Sequence, residues 1–126
     1  MPGKANFESV FQRLKGILEP YASKLIVVGD GKTGYSLETN HVCKNKHHLF
    51  FAGVRMGKAY VSFHLMPVYC CPELLATISP ELKKRMQGKS CFNFKEVDEK
   101  LFKELGKLTK AGLKIFKDGK FLASLP

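Results

Sequence analysis

The apolar residues Phe7, Val10, Phe11, Leu14, Ile17, Leu18 and Tyr21 recur at helical spacing, so they form one stripe along a helix. Asn6 can cap that helix, and Pro20 sits where it should stop. The pattern then shortens. "KLIVVGD" (24–30) is a β-branched run of strand length, and "GDGKTG" is a turn by its glycines and aspartate. "YSLET" (35–39) alternates and predicts a second strand, followed by a polar loop, "NHVCKNKH" (40–47). "HLFFAGVRMGKAYVSFHL" (48–65) predicts a hairpin. Its two aromatic-rich runs flank Gly57 and Lys58, a glycine-first pair suited to a type II′ turn.

Pro67 and Pro72 bound an irregular segment, with a short apolar turn of helix at 73–76. "SPELKKRMQG" carries the start and stop signals of a small helix. Ser79 is its N-cap, Pro80 its first position, Glu81 lies in its first turn, and Gly88 ends it. "SCFNFK" (90–95) alternates and predicts a fifth strand. Asp98 then opens the longest helix, ended by Asp118 and Gly119. Its inner face is Leu101, Leu105, Leu108, Gly112, Ile115 and Phe116. Lys100, Lys103, Lys107, Lys110, Lys114 and Lys117 keep steps of three and four on another face.

Helix, four strands, small helix, strand and long helix make a single two-layer α+β domain over residues 1–126. Its antiparallel sheet should have about five strands, packed by the N- and C-terminal helices, because the links between strands are too short for parallel crossovers. Strand parity places Val61, Phe63, Leu65, Phe92 and Phe94 beneath the helices. The opposite face then carries Tyr60, Ser62, His64 and Asn93, with Arg55 or Lys89 near the rim. Such a surface could bind a small anionic or planar ligand, or a protein partner. The competing reading is a solvated sheet face that happens to bear a tyrosine.

Charge adds a direction but no partner. The chain carries 21 Lys and Arg against 11 Asp and Glu, a formal charge of +10. This favours anionic partners in general. Weak, salt-sensitive nucleic-acid binding by the lysine stripe is one option, although the stripe lacks arginine and interleaved exposed aromatics. No apolar run approaches the roughly 20 residues that span a bilayer, and the first residues lack a secretory pattern. A cytoplasmic protein with reduced cysteines is expected.

The histidines and cysteines do not form a recognisable centre. Cys70 and Cys71 are adjacent, His41 and Cys43 lie two apart, and His47 and His48 are adjacent. None of these matches the paired spacing of a zinc site, so no metal, disulfide or other cofactor is expected. Cys91 as nucleophile with His64 as base is the enzymatic alternative, without an oxyanion loop to support it. The reading leans away from an enzyme.

"HLMPVY" (64–69), "ISPELKKRMQGKSCFNFK" (78–95) and "GKLTKAG" (106–112) resemble a bacterial family of YdhG-like domains of unknown function. "MQGKSCFNF" (86–94) is the most specific part. The resemblance implies a curved antiparallel sheet packed by helices. It also implies a distant relation to frataxin-like iron chaperones. Iron delivery needs clustered carboxylates, because hard cations prefer oxygen ligands. Here the acids Asp98, Glu99 and Glu104 alternate with lysines.

Overall fold

In the computed structural model, which describes residues 2–42, 46, 48–70, 72–88 and 90–118, the first apolar stripe forms helix α1, Pro2–Leu18. Its inward residues Val10, Phe11, Leu14 and Leu18 are fully buried. The helix begins ahead of Asn6, so Asn6 is an interior residue and does not cap it. Pro20 lies in the 3-10 turn Glu19–Tyr21 that closes α1. A proline there lacks the N–H that would continue the helix.

Six strands follow: β1 (Ile26–Asp30), β2 (Gly34–Val42), β3 (His48–Met56), β4 (Val61–Leu65), β5 (Met86–Gln87) and β6 (Cys91–Phe94). They form one antiparallel sheet in the order β1-β2-β3-β4-β6-β5. The fold is α+β, with six strands rather than five.

The extra strand replaces half of the predicted small helix. Helix α3 spans only Pro80–Lys83. Its start is as expected, with Ser79 Oγ accepting the Leu82 N–H at 3.2 Å. The chain then extends, and the Asn93 N–H reaches the Arg85 carbonyl at 2.8 Å. Met86 and Gln87 pair with Phe92 and Cys91. Gly88 does not end a helix. Its φ of +81° makes the turn between β5 and β6, a conformation glycine adopts without a Cβ penalty. Extension satisfies backbone groups of β6 that an exposed edge would leave to water, and it lets Met86 reach the core.

The β3–β4 hairpin forms with its turn one residue later than predicted. The Gly57 N–H bonds the Tyr60 carbonyl at 2.9 Å, which leaves Lys58 and Ala59 at the tip. No residue of 57–60 has a positive φ, so this is not a type II′ turn. Met56 now faces Val61 and Val54 faces Phe63, a shift of two residues that keeps every side chain on its predicted face. Between β2 and β3 the register shifts: Leu37 faces Ala52, but Glu38 faces Phe50. Phe51 is the extra residue of that bulge. Phe51 and Ala52 are both fully buried, which strict alternation would forbid. A second irregularity interrupts β1 between Val27 and Gly29, and Val27 and Val28 are exposed there.

The segment expected to be irregular after β4 is a five-residue helix, α2 (Met66–Cys70), followed by the 3-10 turn Pro72–Thr77. Helix α4 spans Glu99–Asp118. Asp98 opens it as expected, its carboxylate accepting the Leu101 N–H at 3.2 Å; Gly119 lies outside the described residues. On the inner face, Leu101, Leu105, Leu108 and Gly112 are buried as predicted, while Ile115 and Phe116 are only half-buried. Phe102, Thr109 and Leu113 are buried as well.

The helices and sheet meet through aromatic edges. Phe94 meets Phe102 at 5.0 Å between ring centroids, and Phe51 meets Phe116 at 5.8 Å. Val61, Phe63, Phe92 and Phe94 are all buried there. Glu104 joins α4 to α3, accepting from the Ser79 N–H at 2.8 Å and the Ser79 hydroxyl at 2.7 Å. Arg13 and Glu99 pair across α1 and α4; both are exposed, and such pairs add little stability. Among the described residues, no helix is long and apolar enough to cross a membrane.

Candidate functional site

With one face buried under helices, the other is open. Residues directly opposite one another in an antiparallel sheet share a face. Arg55 faces Ser62, and Ser62 faces Asn93. One row along, Gly53 faces His64, and His64 faces Cys91. Ser36 continues that row beyond Gly53, and Gln87 continues it beyond Cys91. The structure therefore brings Arg55, Ser62, His64 and Asn93 together. It also adds Ser36 and Gln87, and it puts Cys91 on the Asn93 side of β6, as strand parity expects.

Hydrogen bonds lock part of this surface. The Ser62 hydroxyl donates to Asn93 Oδ1 at 2.8 Å, and the Cys91 thiol donates to the same oxygen at 3.3 Å. Asn93 Nδ2 donates to Gln87 Oε1 at 2.7 Å, and the Tyr60 hydroxyl reaches that oxygen at 3.3 Å. The orientation of the Asn93 amide follows from these partners. A chain of side chains held in this way keeps Ser62 and Tyr60 in place before anything binds.

Tyr60, Ser62 and His64 line a hollow of about 370 Å³ together with Arg55 and Lys58. Asn93 stands behind Ser62 and outside the lining. Lys89 lies outside the described residues, as do Cys43, His47, Cys71 and the side chains of His41 and Cys70. Arg55 and Lys58 also border a larger hollow, of about 1050 Å³, on the far side of the hairpin turn. Gly53 has a separate role. A Cβ there would stand 3.2 Å from the Phe50 ring and 3.2 Å from Ser36 Oγ. The absent side chain leaves room for that ring beside the strand position that faces His64.

Burial lowers the His64 pKa below its usual value, and the Arg55 cation lowers it further. The imidazole is therefore neutral at pH 7 and can donate from one nitrogen while accepting at the other. The sign for stability follows. The unfolded chain binds the His64 proton more readily, so stability declines as pH falls from about 6.5 toward the lower folded midpoint. An NMR titration should place the His64 midpoint below about 6.5, and Arg55→Gln should move it part of the way back up. A midpoint at or above the usual histidine value would contradict this environment.

Cys91 and His64 are cross-strand neighbours on this face, but their chemistry does not match a nucleophile and its base. Burial pushes the Cys91 thiol up, with hydrogen bonding from Ser62 pulling the other way. Its S–H is directed to Asn93 rather than to the imidazole. A reactive cysteine needs the opposite, a lowered pKa beside a cation or a base. Among the described residues, no three metal-ligating side chains come together.

Sequence reasoning misses Ser36, Gln87 and Lys58. The helix signals of 79–88 place Gln87 in a helix, and only Gly88, taken as a strand turn, would move it to a strand. The sequence places Lys58 in the turn, and no local signal says that a turn residue also borders the hollow. Comparison of the chain with protein-family models, with curated proteins and with solved structures finds no match.

Proposed function

We propose that this chain is a small non-enzymatic binding domain whose open sheet face takes a small planar carboxylate. The observation that carries this reading is the hollow beside the β3–β4 hairpin. Arg55 and Lys58 border it with Ser62, Tyr60 and His64, and no acid among the described residues lines it. Arginine presents a planar fork that pairs a carboxylate through two parallel hydrogen bonds. Tyr60 supplies an aromatic wall, and His64 and Ser62 supply neutral polar contacts. A cytosolic setting, in which Cys91 stays a thiol, belongs to this reading, as does membership of the YdhG-like domains.

The test is a screen of aromatic carboxylates, read as backbone amide shifts in β3, β4 and β6. Arg55→Gln should weaken the best binder by about tenfold or more, the loss of one charged hydrogen-bonding pair. Binding should strengthen as pH falls through the lowered His64 midpoint, because the protonated ring adds a cation. His64→Ala should remove that pH dependence and leave the unfolding temperature at neutral pH nearly unchanged. Binders that ignore both substitutions would refute a role for this face.

A further inference from the structure

We infer that a separate hollow, between the end of α1 and helix α4, binds a small organic polyphosphate. It has a volume of about 550 Å³ and is bordered by Lys24, Lys107, Lys110 and Lys114, with Tyr21 and Leu113 among the apolar residues. That size suits a small molecule. It lies in the helix layer, so it is independent of the sheet face.

Two features of the chain build it. Lys107, Lys110 and Lys114 follow at steps of three and four, which puts them on one side of α4. Lys24 comes from a distant part of the sequence. Its N–H bonds the Tyr21 carbonyl at 3.0 Å, folding the turn after α1 back on itself. Four lysine side chains thereby border a partly apolar floor.

The arrangement is costly to the free protein. Like charges three and four residues apart weaken a helix. The helix dipole rewards a cation only within the C-terminal turn, and Lys107, Lys110 and Lys114 all come before the last four residues of α4. Among the described side chains, the nearby acids are engaged elsewhere. Asp98 caps Leu101, Glu99 pairs with Arg13, and Glu104 holds Ser79. From Leu105 to Phe116 the helix carries no acid. Glu19, on the adjoining turn, acts on Lys15 and Tyr35. A multiply charged anion would supply the missing counter-charge. Lysine, a compact point charge, suits phosphoryl oxygens more than a single planar carboxylate. Tyr21 and Leu113 would then take an apolar group attached to the phosphates.

Calorimetric titration at fixed ionic strength, with inorganic tripolyphosphate and with ATP as probes, tests this. Both should bind saturably, and ATP more tightly, because only ATP has a ring for Tyr21. The double variant Lys107→Gln/Lys110→Gln should weaken both by about tenfold or more. Lys83→Gln/Lys84→Gln, on exposed positions of α3 and its cap, removes the same charge elsewhere and should change affinity by less than about twofold. Arg55→Gln should leave it unchanged, so this site and the sheet face fail or stand separately. Equal weakening by the two lysine pairs would mean attraction by net charge alone and overturn the site. So would the absence of saturable binding. A single-stranded thymidine oligonucleotide that displaces ATP and binds far more tightly would assign the lysines to a nucleic-acid strand, and would overturn the small-molecule assignment.

Discussion

Phe94→Ala should lower stability by about 3–5 kcal/mol, the usual cost of deleting a core aromatic ring. For a chain of this size that corresponds to a fall of roughly 10–20 °C in Tm. Three observations set the size of the effect. Phe94 is only 1% exposed. Its ring meets Phe102 edge to face, with an interplanar angle of 84°, a geometry that adds to simple burial. It also sits opposite Val61 at the β4–β6 pairing that joins the last strands to the meander. The vacated space could be filled only by moving α4. Chemical denaturation of the variant checks the value. A loss below about 1 kcal/mol would mean that this ring is not part of a close-packed core.

Gly112→Leu should cost about 3 kcal/mol, near the upper end of the usual range for overfilling a packed site. A Cβ at Gly112 would stand 2.7 Å from Cβ and 2.8 Å from Cγ of Pro67. Such distances require a shift, and Pro67 cannot yield by changing rotamer because its ring is closed onto the backbone of α2. Even Gly112→Ala should destabilise, despite alanine's advantage of about 1 kcal/mol in a helix interior. Gly106 is the control. It lies in the same helix with nothing within 4 Å of a built Cβ. Gly106→Ala should therefore stabilise by about 0.5–1 kcal/mol. Opposite signs for the two alanine variants in one thermal series would separate close approach from helix propensity. Equal gains would remove the claim that α2 and α4 touch at Pro67.

How far the chain could be read depended on whether a signal was local. The faces of β4 and β6 were legible because a strand with one buried side must alternate, and "VSFHL" and "CFNF" do. That was enough to put Tyr60, Ser62 and His64 on one side. Asn93 joined them only through the β4–β6 pairing, a contact between residues far apart in sequence. Gly88 shows the limit of local reading. A positive φ serves a helix end and a tight strand turn equally well, so the glycine could not say which it was making. Phe51 and Ala52 show another. A bulge lets two consecutive residues enter the core, and no single-strand pattern announces it. Asn6 had the chemistry of a cap, but the helix extends past it toward the N-terminus.

The two ends of the sheet bear on how copies of this molecule meet one another. A strand edge with a long regular row of free N–H and C=O groups is a template on which another chain can add. Here β5 is two residues long, and the irregularity between Val27 and Gly29 breaks the row along β1. An incoming strand would find only a few groups in step at either border. Among the described residues the sheet has six strands with these two short or interrupted borders, and the valines exposed on β1 sit where edge-to-edge growth is already interrupted.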